Sequence, residues 1–181
     1  KRQVTGRHLT KIPKAVEEVC QSLDHTPSAV MICITCVDAL LGTDMDRVCR
    51  KSSDRAGVPV VPCYMYALTR EKRLPPMASV RKSVYSLLKP RKRKSDEVNI
   101  LGYFSPLQED CELYSLLKGA GVKTIRELSR CDTFEEYEKM SQANFSLVLN
   151  AEARYAAQQM EQELNIPFIE LARVFQADKI S

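Results

Sequence analysis

A chain of 181 residues with 44% hydrophobic and 28% charged side chains has the composition of an ordinary folded protein, large enough for one sizeable α/β domain or parts of two smaller ones, and far from the signature of disorder. The longest apolar runs fall well short of the roughly 20 residues that a membrane-spanning helix needs, so no membrane span and no membrane partner are expected. The formal net charge of +4 is concentrated in Lys89-Pro-Arg-Lys-Arg-Lys94; with no Trp and no recognisable nucleic-acid-binding pattern, that run reads as a solvated linker, and no nucleic-acid partner is expected.

Taken in chain order, the first element is an amphipathic helix. Thr10 and Pro13 sit at its start, and Ile12, Ala15, Val16, Val19 and Leu23 share one face. Ala29 to Ile34 and Val58 to Pro62 are continuous apolar runs of strand length, with a helical stretch between them. This is a βαβ pattern, and runs buried on both faces point to a parallel sheet covered by helices. The connecting helix is expected to stop and restart. Gly42 can take the left-handed conformation that ends a turn, and Thr43 with Asp46 three residues on resembles a capping box.

Pro75 and Pro76 introduce a further helix whose Met77, Val80, Val84, Leu87 and Leu88 share a face. A second series follows: a strand over Val98 to Phe104, a helix over 108–118, a strand over Val122 to Leu128, a helix near 133–141, a strand over Phe145 to Leu149, a helix over 152–164 and a short strand at Pro167 to Ile169. The fold class expected is therefore α/β, with Rossmann-like parallel sheets flanked by helices and right-handed crossovers. Residues 1–89 are expected to form the end of a first Rossmann-like unit, 90–96 a basic linker, and 97–181 a second Rossmann-like unit. Lys1 in place of Met, and the abrupt end at Gln176-Ala-Asp-Lys-Ile-Ser181, lead us to expect a piece of a longer chain.

In parallel sheets, ligands gather beyond the carboxyl ends of strands, so chemistry is sought just after each one. The seven cysteines, at 20, 33, 36, 49, 63, 111 and 131, are odd in number and lack the regular spacing of a secreted disulfide framework, which suggests a reducing, cytoplasmic setting. Most lie on apolar faces, where free Cys behaves as a small hydrophobe. Cys36 differs in following a strand at the mouth of a helix, where backbone N–H groups favour a thiolate that can bind metal. Cys33 and Cys36 have the CxxC spacing of a thioredoxin-type pair, but Cys33 falls inside the strand rather than at a helix start. No second CxxC completes a zinc ribbon. His8 and His25 lie in polar segments without an orienting partner for cysteine catalysis and read as exposed side chains.

Beyond these spacings, the stretch Val30-Met-Ile-Cys-Ile-Thr-Cys-Val-Asp-Ala-Leu-Leu-Gly-Thr-Asp-Met-Asp-Arg-Val-Cys49 resembles the signature of nitrogenase component 1 type oxidoreductases. In that family an apolar strand leads to Thr-Cys or Glu-Cys and a short helix ending in Ile-Gly-Asp-Asp. Cys36 matches the signature cysteine, and Leu41-Gly42-Thr43-Asp44 stands for Ile-Gly-Asp-Asp. Asn99-Ile-Leu-Gly-Tyr-Phe104, Leu116-Leu-Lys-Gly-Ala-Gly-Val122, Thr133-Phe-Glu-Glu136, Asn144-Phe-Ser-Leu-Val148 and Asn165-Ile-Pro-Phe168 are similar, in order and spacing, to that family's next domain.

The resemblance implies a fragment of a multi-domain nitrogenase-like subunit in which Cys36 is one thiolate ligand of an iron–sulfur cluster, its companions coming from an upstream segment and a partner subunit. It implies a homologous component 1 subunit as partner, in a homo- or hetero-oligomer, and an ATP-dependent iron-protein reductase that delivers electrons for transfer to an unidentified substrate. The fragment alone is expected to be inactive and to hold no cluster. An ungapped match through Asn165-Ile-Pro-Phe168 puts Leu149 where the molybdenum enzyme's catalytic subunit has its cofactor-anchoring cysteine, so an iron–molybdenum cofactor is not expected. Ser105, Gln108, Asn150 and Glu152, after the strands of the second unit, are candidate substrate contacts, with loop and helix-cap roles as the plainer alternative. Alternative functions are a scaffold for metallocofactor assembly and a non-enzymatic α/β ligand-binding module.

Overall fold

The computed structural model describes residues 7–65 and 74–171; Gln176 to Ser181 and the side chain of His8 lie outside the described residues. Contacts divide the chain into a first unit, residues 1–83, and a second, residues 84–181.

The first unit runs α1 (Arg7–Ser22), β1 (Val30–Ile34), α2 (Cys36–Leu40), α3 (Met45–Ala56), β2 (Val60–Tyr64), and α4 (Pro76–Tyr85) leads into the second unit. β1 and β2 pair in parallel, Val30 opposite Val60 and Ile34 opposite Tyr64. One face of this pair, through Val30, Ile32 and Val60, packs on Val16 of α1 and Cys49 of α3. Helix α1 begins a turn before the expected cap at Thr10 and encloses Pro13. Proline inside a helix costs about 3 kcal/mol. Leu9 and Ile12 pack against Ile34, Met45 and Val48, and this burial opposes that cost. β2 starts two residues later than the apolar run because the Val58 carbonyl accepts from the Ser53 hydroxyl at 2.7 Å and is thereby diverted to the helix end.

The second unit runs β3 (Glu97–Leu101), α5 (Glu112–Gly119), β4 (Thr124–Glu127), α6 (Phe134–Glu138), β5 (Phe145–Val148), α7 (Arg154–Leu164) and β6 (Phe168–Glu170). Its four strands are all parallel, in the order β4-β3-β5-β6. β3 is buried throughout. Val98 and Ile100 face Leu117 of α5, whereas Leu101 packs with Met140, Ala157 and Met160. Period-two alternation thus serves two helical layers from one strand. Asn99 is wholly buried in this apolar setting, and its amide donates to the Met140 carbonyl at 2.8 Å. Helix α5 begins at Glu112, four residues later than expected, because Glu127 and Arg130 hold both backbone groups of Leu107 in the loop before it.

The basic stretch expected as a solvated linker is exposed but tied to the second unit. Arg91 pairs with Glu138 at 2.7 Å, Arg93 donates to the Asn165 carbonyl at 3.1 Å, and Lys94 pairs with Glu97 at 2.8 Å. Burial raises the Glu97 carboxyl, but hydrogen bonds from Lys94 and Arg126 outweigh it and hold the group below its ordinary 4.5. A carboxylate with a depressed folded value adds stability above its unfolded value and loses it as pH falls through the folded one. Glu97→Gln is therefore expected to lower the urea midpoint at pH 7, with the difference from the parent shrinking as pH falls below 4.5. A difference constant from pH 7 to pH 3 would contradict this assignment.

The chain leaves β3 towards α5 on one face of the sheet and leaves β5 towards α7 on the other. The adjacent strands β3 and β5 therefore form the topological switch point, where a crevice opens beyond their carboxyl ends. Gly102 lies directly after β3 with φ +148°, and a Cβ there would come within 2.9 Å of the Asn150 nitrogen. Gly102→Ala is expected to cost about 1–3 kcal/mol from backbone strain, with the steric clash adding to it, measured by urea denaturation. An unchanged midpoint would show that the two strand ends separate freely.

Candidate functional site

Cys36 is the first residue of α2, directly beyond the carboxyl end of β1, and it is exposed. Thr35 precedes it and donates its hydroxyl to the Asp38 carboxylate at 3.4 Å. Helix α2 has only five residues and carries Asp38 in its first turn, so the helix dipole invoked from sequence has little length from which to act. The turn ends as expected: Gly42 takes φ +63°, Leu41 N–H donates to Val37, and Thr43 N–H reaches the Asp38 carbonyl at 3.1 Å. The next cap falls one residue later than expected. Asp44, not Thr43, accepts from Arg47 N–H at 3.0 Å, because Thr43 is engaged in closing α2. Asp46 lies in the first turn of α3 and accepts from the Tyr64 hydroxyl at 3.2 Å.

The surface around Cys36 is apolar. Val37, Leu40 and Leu41 on the segment that follows it, and Met65 after β2, are all exposed, Leu40 to 67%. Met65 N–H bonds to the Ile34 carbonyl, so the strand ends that carry Cys36 and Met65 are adjacent. Among the described residues no three His, Cys, Asp or Glu side chains converge to hold a metal ion.

The four cleft candidates belong to the second unit, and the structure separates them. Asn150 lines a cavity of about 310 Å³ with Tyr103, Leu149, Ala151, Arg154, Glu170 and Leu171, at the switch point between β3 and β5. Its side-chain oxygen also caps the 3-10 turn Ala151–Ala153 by accepting from Glu152 N–H at 3.0 Å, so the capping role weighed from sequence is present too. Ser105, Gln108 and Glu152 do not line that cavity; Ser105 and Gln108 are exposed, and the Gln108 carbonyl accepts from Cys111 N–H to close a turn.

Sequence reasoning missed Arg154 and Glu170. They form a two-bond ion pair at 2.6 and 2.7 Å across the cavity wall. The signal available was faint: Glu170 follows the last short apolar run, and nothing in the spacing joins it to Arg154, sixteen residues earlier. Reasoning also missed Cys63 as the neighbour of Cys33. Val-Met-Ile-Cys-Ile and Val-Val-Pro-Cys-Tyr carry their cysteines at the same strand position, a signal that a strand-by-strand alignment would have exposed.

A model of the nitrogenase component 1 type oxidoreductase family matches residues 3–180. The chain belongs to this family. Similar members include the nitrogenase iron-molybdenum cofactor biosynthesis protein NifE of Nostoc sp. (strain PCC 7120), 27% identical over 164 residues that make up 88% of this chain and 34% of the relative. The protein of the same description from Rhizobium meliloti (strain 1021) is 28% identical over 171 residues, 92% of this chain and 36% of the relative. A solved structure described as nitrogenase Cp1 at pH 6.5 aligns with a TM-score of 0.67 at 22% identity, covering 94% of this chain and 33% of that one. The α/β architecture with parallel sheets is thus the fold of this family. The chain spans about a third of the length of the relatives it matches.

Within the cavity, Arg154 holds the Glu170 carboxyl below its ordinary 4.5, chiefly through their hydrogen bonds. Arg154→Met is expected to move the Glu170 titration upward towards 4.5 in a carboxyl-resolved NMR pH series. A titration unmoved by the substitution would mean that the pair is not formed in solution.

Proposed function

We propose that this chain is part of a nitrogenase-like subunit that binds an iron–sulfur cluster through Cys36 and serves as a scaffold on which a metallocofactor is assembled or carried. The observation that carries the proposal is the placement of Cys36, the residue that by resemblance matches the signature cysteine, exposed just beyond the carboxyl end of β1 at the start of a short helix. A thiolate at such a corner reaches a cluster without burial of the backbone that bears it. With no converging third donor among the described residues, Cys36 supplies one ligand, and the others come from elsewhere in the complete protein. The apolar rim of Val37, Leu40, Leu41 and Met65 suits cover by a homologous partner subunit, in a homo- or hetero-oligomer.

The assembly role rests on the relatives, which are described as cofactor biosynthesis proteins. Leu149 offers no donor atom to a metal at the cavity wall, so an iron–molybdenum cofactor is not held through that side chain. Asn150, Arg154 and Glu170 would instead present polar groups to whatever occupies the cavity. A second reading, favoured by the family's description as an oxidoreductase, has the subunit receive electrons from an ATP-dependent iron-protein reductase and pass them to a substrate. Both readings take place in a reducing cytoplasm, where the free thiols persist.

The test is iron and acid-labile sulfide analysis with electron paramagnetic resonance on the full-length protein and its Cys36→Ala variant, prepared anaerobically. Cluster signals in the parent that are lost or altered in the variant are expected; identical iron content and spectra would remove Cys36 as a ligand. Transfer of the bound cofactor to an acceptor protein without substrate turnover then supports the scaffold, whereas turnover with the ATP-dependent donor supports the reductase.

A further inference from the structure

The CxxC spacing draws attention to Cys33 and Cys36, yet the thiol that stands beside Cys33 is thirty residues away. In the parallel pairing of β1 with β2, Cys33 and Cys63 are register partners. Neighbouring strands lie about 4.7–4.9 Å apart, within the roughly 4.4–6.8 Å that separates the Cα atoms of disulfide-bonded cysteines. Register partners also point to the same side of a sheet. That side is opposite to the one on which Val30, Ile32 and Val60 pack against α1 and α3. The two thiols differ in access: Cys33 is exposed, and Cys63 is buried at 4%.

We infer that Cys33 and Cys63 form a peroxide-oxidisable dithiol, in which exposed Cys33 meets a hydroperoxide and buried Cys63 closes the disulfide across β1 and β2. The sulfur of Cys33 attacks the O–O bond of hydrogen peroxide; an S–O bond forms, the O–O bond breaks, and the departing hydroxide leaves as water with the thiol proton. The Cys63 sulfur then attacks the Cys33 sulfur. An S–S bond forms, the S–O bond breaks, and the hydroxide released takes the Cys63 proton. Two thiols lose two electrons, and one peroxide becomes two waters. Burial pushes the Cys63 thiol up, and the charge of Cys33 and a hydrogen bond to it push it further. Access sets the order of the two steps, because Cys33 is exposed to peroxide and Cys63 is buried.

The pair excludes Cys36, so failure of the cluster assignment leaves it standing. The bond would staple together the two strand ends that carry Cys36 and Met65. The experiment treats the reduced full-length protein with one equivalent of hydrogen peroxide under argon, alkylates the remaining thiols, and maps peptides without reduction. The expected result is loss of two thiols per chain and a peptide pair linked through Cys33 and Cys63. The Cys63→Ala variant should instead accumulate a dimedone-trapped sulfenic acid at Cys33. The Cys33→Ser variant changes only an exposed side chain, and it should leave Cys63 unoxidised. Unchanged thiol counts in the parent, a link from Cys33 to Cys36, or over-oxidation of Cys33 with Cys63 still free would each overturn the inference.

Discussion

Parallel strand pairing governs both units, because a parallel strand cannot return to its neighbour by a tight turn and must cross over through a helix that covers the sheet. All strands of a unit then end on the same edge. In the first unit that edge carries Cys36 and Met65, and in the second it carries Gly102, Asn150 and Glu170. A chain built of hairpins would have scattered these residues over both edges. The burial of β3 on both faces is the same constraint seen in the core, since α5 on one side and α6 with α7 on the other are the crossovers themselves.

The chemistry available at each edge follows from how the chain leaves its strand. After β1 the chain turns once through α2 and stops at Gly42, which leaves Cys36 exposed with the apolar side chains of Val37, Leu40 and Leu41 exposed on the segment that follows. After β3 the absence of a side chain at Gly102 lets the Asn150 backbone approach, so the two central strands stay bonded to their ends before diverging to opposite faces. The first arrangement suits a soft metal ligand shared with another surface. The second suits a small polar cavity, walled by an ion pair whose members meet only after α7 has run back along the sheet.

Family membership constrains these readings without replacing them. The family's signature corresponds to a physical object, a strand end with a one-turn helix. Its closing Gly takes the left-handed conformation that only a residue without a Cβ adopts at little cost. The family's common architecture accounts for the fold, and the groups presented at the strand ends are this chain's own: Cys36 in the first unit, and Asn150 with Arg154 and Glu170 in the second.

Much of this was legible in the chain itself. Strand-length apolar runs, helical periodicity and the position of Gly42 are local properties, set by side-chain spacing and backbone sterics, and they were sufficient for the element order, the α/β class and the placement of Cys36 just after a strand. Boundaries moved where a distant partner claimed a backbone group, as Glu127 and Arg130 did at Leu107. Charge spacing could not name partners for the same reason: Lys89 to Lys94 is exposed, and its ties to Glu138, Asn165 and Glu97 exist only once those residues are folded beside it. The cavity at Asn150, the Arg154–Glu170 pair and the meeting of Cys33 with Cys63 depend on strand order and register. Tertiary packing alone decides those, because residues far apart in the chain interact only once the crossovers have brought their strands together.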